Sequence, residues 1–390
     1  MRAAGRGFRA VDLSVALGAA LLTAGAGLAA DPPPAAAPAA VPATSLGDFK
    51  RWVIAADFTR DGQQLVTVGG ESLLYRPGDV VVWRAADGGR VGDLAGHGTA
   101  VWAVRVSRDG MLAATAGYDG VVKLWDLPAR ALKHDIKKHK GWVRSLDFSP
   151  DGARLATAGE DGTVVIWDTA MGTELKAIAA HTGAATAVAF SADGATLASG
   201  GSDKLVKLWD PASGAEKGKL EGHGDSIWAV AYSPDGGRLA TVGADRTIRL
   251  WTTSDFKEFA TLTGHKDWVT SVAFAPDGTR LASGSLDGAV KLWDVVAKGE
   301  QEGPELQKSS VWTVAFAPDG KTIFVGTRAG CSRVPTPAAK LLPPPPPPPP
   351  SAADPEKPAA PESDKPKADA PPKAEAVAPP PAAAPNGQKP

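Results

Sequence analysis

Three observations predict an all-β repeat fold for this chain. The stretch His139 to Asp168 (HKGWVRSLDFSPDGARLATAGEDGTVVIWD) has near-copies starting at His97, His181, His223 and His265, each start 42 residues after the last. A fixed period in the range of roughly 20–50 residues marks a repeat architecture. Within each copy, short apolar runs are interrupted by turn chemistry: Ser149-Pro150-Asp151-Gly152 and Glu160-Asp161-Gly162 in the middle one. Proline presets φ and glycine supplies positive φ, so each cluster reverses the chain. Finally, the runs differ in polarity in a fixed order, as strands at different depths should.

Taken in order, Val143 to Phe148 alternates and reads as a first strand. Leu155 to Ala158 is the second. Val164 to Trp167 is the third, almost wholly apolar and so buried on both faces. Glu174 to Ile178 is the fourth, more polar because it faces solvent. No such unit can bury both of its own faces, but stacking against two neighbours does so.

Four columns recur when the copies are aligned on the His. Position 18 is Thr115, Thr157, Ser199, Thr241 or Ser283. Position 22 is Asp119, Asp161, Asp203, Asp245 or Asp287, and position 28 is Trp125, Trp167, Trp209, Trp251 or Trp293. These types can form a line of hydrogen bonds: the Asp accepts from a His ring N–H, the other ring nitrogen bonds the hydroxyl, and the hydroxyl accepts the indole N–H. The histidines are therefore read as structural, not as metal ligands or bases. The pattern GH…SPDG…S/T…D…WD resembles the WD-repeat family over residues 49–336. That resemblance implies a β-propeller with four-stranded blades and, counting two partial copies, seven of them.

The first blade begins near Phe49, with Trp52, Phe58, Arg60-Asp61-Gly62, Thr67 and Trp83 at template positions and Glu71 in place of the turn Asp. Ser72 to Asp79 is an insertion, read as a rim loop. The seventh blade keeps Trp312 to Phe316 and Pro318-Asp319-Gly320, but Val325, Ala329 and Pro335 stand at the hydroxyl, Asp and Trp positions. It lacks an outer strand of its own. The resemblance implies a strand-exchange clasp, and Ala43 to Asp48 is the free segment able to supply it.

The flanks differ in composition. Residues 1–30 read as an export signal: Arg2, Arg6 and Arg9, an apolar run from Val15 to Leu28, then small residues. An uncleaved membrane tether is the alternative. Residues 31–42 form a Pro/Ala linker, 43–336 the propeller, and 337–390 a disordered Pro/Ala/Lys/Glu-rich tail that includes Pro343 to Pro350.

Chemistry is hard to place. The net charge of −1 argues for neither nucleic acid nor an acidic surface as partner, and no nucleic-acid partner is expected. Cys331 is the only cysteine, which excludes an intramolecular disulfide and a CxxC centre. No nucleophile–base pair, phosphate loop or metal cluster is legible, so neither catalytic residue, metal nor cofactor is expected. All twelve Trp fall into two sets. Six close third strands. The others, Trp52, Trp102, Trp142, Trp228, Trp268 and Trp312, open first strands at offset 3 or 5 from the His position. Strict alternation puts both offsets on one strand face, so the rings are expected around one mouth of the channel. The expectation is an exported, monomeric, non-enzymatic scaffold binding a protein or peptide there. A small-ligand receptor or enzyme using the mouth, and an envelope spacer acting through the tail, are the alternatives.

Overall fold

The described residues form seven four-stranded antiparallel sheets. The computed structural model describes residues 44–45, 52–70, 77–301, 303 and 309–336. The expected leader, linker and tail, Glu71 and most of the rim loop lie outside them. Six sheets run in sequence order, from Trp52–Phe58 at the inner edge of blade one to Gly299–Gln301 at the outer edge of blade six. First strands of neighbouring blades touch all the way round, including Trp52–Phe58 against Val311–Phe316, which closes the ring.

Blade seven is completed from the other end of the chain. Thr44–Ser45 pairs antiparallel with Gly330–Pro335, in the register Thr44↔Arg333 and Ser45↔Ser332. The clasp strand is two residues long, and the rest of Ala43 to Asp48 lies outside the described residues.

Local sequence explains each reversal. In blade three the Asp151 carboxylate accepts from the Ala153 N–H at 3.0 Å and from the Ser149 hydroxyl, while Gly152 sits at φ +71. Packing lies between blades. Trp167 joins Ala114, Leu124 and Ile136 of blade two; Trp125 joins Val66 and Val82 of blade one; Trp83 joins Phe324 and Cys331 of blade seven. Each third-strand indole thus covers the preceding blade. Such a ring buries roughly 150–250 Å², or about 4–6 kcal/mol at ~25 cal/mol/Å². Cys331 is a buried free thiol whose ionisation burial pushes up.

The cations two residues before the third-strand Trp pack inward rather than forming a basic stripe. Lys123 is buried and bonds Asp135 at 2.7 Å, Lys207 donates to the Ala180 carbonyl at 2.6 Å, and Arg249 and Lys291 pair with Glu258 and Glu300.

Candidate functional site

The four-residue columns come together inside the blades. Indole N–H groups donate to the hydroxyls in every copy: Trp125 to Thr115 at 2.8 Å, Trp167 to Thr157 at 3.0 Å, Trp209 to Ser199 at 2.8 Å, Trp251 to Thr241 at 2.9 Å and Trp293 to Ser283 at 2.8 Å. Trp83 does the same to Thr67 at 2.8 Å in blade one. Nε2 of His97, His139, His181, His223 and His265 lies 2.7–2.8 Å from the same hydroxyls.

The aspartate end holds in four blades. Asp161, Asp203, Asp245 and Asp287 meet Nδ1 of His139, His181, His223 and His265 at 2.8–3.2 Å. In each, the backbone N–H after the histidine also donates to the carboxylate, from Lys140, Thr182, Gly224 or Lys266. Blade two departs from the expectation. Its Asp119 carboxylate accepts from Val121 N–H but does not bond His97, whose buried Nδ1 has no partner among the described residues. Without a donor from Gly98, nothing else draws the carboxylate over the ring.

Charge follows from this burial. Burial lowers the affinity of His139, His181 and His265 for a second proton despite their aspartates, and takes His97 down to about 4. Burial works to raise Asp161, but hydrogen bonds from Thr163 and the Lys140 N–H, with His139, hold it down to about 2. Burial thus favours the neutral imidazole, bonded through both ring nitrogens in His139, His181 and His265 and through Nε2 alone in His97. Among the described residues no group of three or more His, Cys, Asp or Glu is placed to hold a metal.

The Trp rings at the first-strand starts do not follow simple alternation. Every first strand carries a β-bulge there, as between Val143 and Ser145 or Val101 and Ala103. The extra residues are Ile54, Trp102, Arg144, Thr186, Trp228, Thr270 and Trp312, one per blade. A bulge re-aims its side chain, and these seven line the channel cavity, about 110 Å³ in volume. Trp52, Trp142 and Trp268, two residues earlier, are absent from that lining and stand beside it. The correction is physical: the inserted residue breaks the period of two that had put both offsets on one face.

The two sets nevertheless make one aromatic surface. Trp52 stacks on Trp312 at 6.4 Å, Trp312 meets Trp102 edge-on at 6.0 Å, and Trp102 lies 6.1 Å from Trp142, which also contacts Tyr118. Trp228 stacks on Trp268 at 5.5 Å. Blade four, with Thr186, has no ring to join the two groups. Arg144 does so: its guanidinium lies 4.4 Å from the Trp142 ring centre, 5.1 Å from Trp102 and 5.9 Å from Trp228. Sequence reasoning missed Arg144, although reading the offset-5 column as a set would have isolated it. Five of the six rings are half-buried and Trp268 is 42% exposed.

The opposite mouth is also aromatic, with Phe58, Phe148, Phe190, Tyr232, Phe274 and Phe316 in its lining. It carries two perturbed acids. Burial pushes Asp57 up, and pushes Asp147 up to about 6 against the nearby Arg105. Their oxygens are already used. Asp57 accepts from Val106 N–H and Asp147 from Phe190 N–H, each at 2.8 Å and each across to the next blade. The hydroxyls of Ser107 and Ser149 donate to turn carboxylates, Asp109 and Asp151. The arrangement braces neighbouring blades.

Against known proteins, the family model described as WD domain, G-beta repeat, matches residues 88–126 and 130–168. The model described as IFT122 first beta-propeller matches residues 185–334. Eukaryotic translation initiation factor 3 subunit I of Neosartorya fischeri is 37% identical over 70 residues, covering 18% of this chain and 19% of that protein. The same subunit of Aspergillus terreus is 35% identical over 82 residues, 21% of this chain and 23% of that protein. The chain thus spans about a fifth of the length of the curated relatives it matches. The matched repeat at 130–168 begins in the outer strand of one blade and ends at Trp167-Asp168 of the next, so sequence repeat and blade are offset by one strand.

Proposed function

The chain is a WD-repeat β-propeller, and from that premise we propose that it is a non-enzymatic platform whose Trp-bearing mouth binds a protein or peptide partner. WD-repeat propellers generally act as protein-interaction scaffolds. The observation that carries the choice of face is the aromatic surface just described. Five Trp rings are half-buried and a sixth is 42% exposed, all gathered about one opening. Trp is over-represented among interface hot spots, because one ring removes a large area from water at small entropic cost. What the initiation-factor subunits assemble with stays theirs, since the shared stretch is two repeats long.

Photo-crosslinking decides the face. With a benzoylphenylalanine at position 268 or at 232 of the full chain, adducts to a protein partner in cells should form from position 268. Adducts from 232, on the other mouth, would contradict the proposal. We further propose that the protein is exported. The N-terminus of the cell-derived protein should then lie near Ala30 or Asp31, and an intact Met1 in a soluble cytoplasmic fraction would contradict export.

A further inference from the structure

We infer that Arg144 makes this mouth a reader of carboxylates, so that the partner enters with an acidic side chain or a free C-terminus. This inference rests on the mouth being the partner site. Arg144 is the one charged residue among the seven bulge positions that line the cavity. Its side chain is 14% exposed and sandwiched by indoles, so the fork is held in place rather than waving in solvent.

The cation decides the class of ligand in two ways. It already occupies the faces of Trp102, Trp142 and Trp228, which a partner's lysine or arginine would need for cation–π contact. An incoming cation would also meet a fixed like charge. A second cation, Arg328, lies 4.3 Å over Trp52 on the same surface.

Hydrogen-bond supply points the same way. Nε of Arg144 and the indole N–H groups of Trp228 and Trp312 are buried and have no acceptor among the described residues. The hydroxyls of Thr186 and Thr270 in the lining already donate to backbone carbonyls, at 2.6 and 2.8 Å to Ile227 and Val311. Around the cavity, then, donors are left without acceptors among the described residues. An ionised carboxylate only accepts, and its two oxygens match a guanidinium fork.

Glu160 shows how the site stays paired when empty of partner. Its carboxylate takes one Arg144 N–H at 2.9 Å, and its side chain is 38% exposed. The acid is therefore the displaceable member of the pair and the arginine the fixed one. A partner carboxylate would replace Glu160 at the guanidinium and release it to water. The rim acids Asp225 and Asp267 cap their neighbours' backbone N–H groups, on Ser226 and Trp268, and do not pair with Arg144.

The test is an array of immobilised octapeptides probed with the labelled full chain. Peptides are rich in Asp/Glu, rich in Lys/Arg or uncharged, each with a free or an amidated C-terminus, which separates the two sources of carboxylate. The wild type should select Asp/Glu peptides or free C-termini. Arg144→Gln should weaken that binding at least tenfold with an unchanged thermal midpoint. Glu160→Gln should strengthen it severalfold, which a merely bracing salt bridge would not do. Weakening by Glu160→Gln, or normal binding by a folded Arg144→Gln, would overturn the proposal. Selection of basic or uncharged peptides that Trp102→Ala/Trp228→Ala abolishes would overturn the carboxylate and leave the mouth standing. If no peptide class responds to that double variant, the mouth itself is wrong and the carboxylate reading falls with it.

Discussion

Both mouths of the channel are ringed by aromatic side chains, yet they are built to opposite ends. At one, Phe148, Phe190, Phe274 and Phe316 are 5–9% exposed and belong to the cores between blades. Acidic groups there are tied to the backbone of the next blade. At the other, Trp residues sit on or beside bulges, five of them half-buried and Trp268 exposed, and surround donors with no acceptor among the described residues. An aromatic column in a repeat thus says nothing by itself. At the first mouth the strand continues its alternation and tucks the ring between blades; at the second an inserted residue turns Trp102, Trp228 and Trp312 to the channel, with Trp52, Trp142 and Trp268 beside them.

The sharpest way to break this comparison is to truncate a ring at each mouth. Phe148→Ala should cost about 3–5 kcal/mol of stability, as for other buried Phe truncations, and should leave partner affinity unchanged in whatever protein remains folded. Equilibrium denaturation on the full chain reads the first quantity. A loss below about 1 kcal/mol would mean that the phenylalanine mouth is not core.

The hydrogen-bonded columns allow a smaller contrast within the blades. Asp161→Ala should cost on the order of 2–4 kcal/mol, because it strands donors on His139, Thr163 and the Lys140 backbone. Asp119→Ala should cost less than about 1 kcal/mol, since His97 does not depend on it. Equal thermal midpoints for the two variants would contradict the difference between blades two and three.

How much of this was legible in the sequence divides along the same line. The blades, the count of seven and the columns follow from a period of 42 residues and from turn chemistry, because local propensity and burial agree in each copy. The strand supplied by Thr44–Ser45 follows from the missing outer strand of blade seven. The broken link at His97 does not, since its copy carries all four residue types and differs only in where one carboxylate points. The bulge was hidden for a related reason. An inserted residue leaves composition and spacing between histidines untouched while reversing which side chains reach the channel. In sequence Arg144 is therefore indistinguishable from any other polar residue on an alternating strand.

A still smaller effect tests the bracing acids. Asp147 titrates at about 6 in the folded protein, above its ordinary value, so between about pH 4 and 6 the native state holds a proton that the unfolded chain releases. Its contribution favours folding below that window and fades as pH rises through it. His97, lowered to about 4, runs the other way over a similar range. Asp147→Asn should therefore gain on the wild type as pH rises from 4 to 7, by a few degrees in thermal midpoint at roughly 2–4 °C per kcal/mol. A constant difference across that range would mean the carboxylate is not perturbed.

The central claim, that the tryptophan mouth is the binding face, is tested most directly by replacing Trp142 and Trp268 together with Ala and titrating the variant against the partner crosslinked at position 268. Trp rings at an interface centre contribute about 2–4 kcal/mol each when buried by a partner, so affinity should fall more than tenfold while the thermal midpoint moves only modestly. Unchanged affinity in the folded double variant would place the binding surface elsewhere on the propeller.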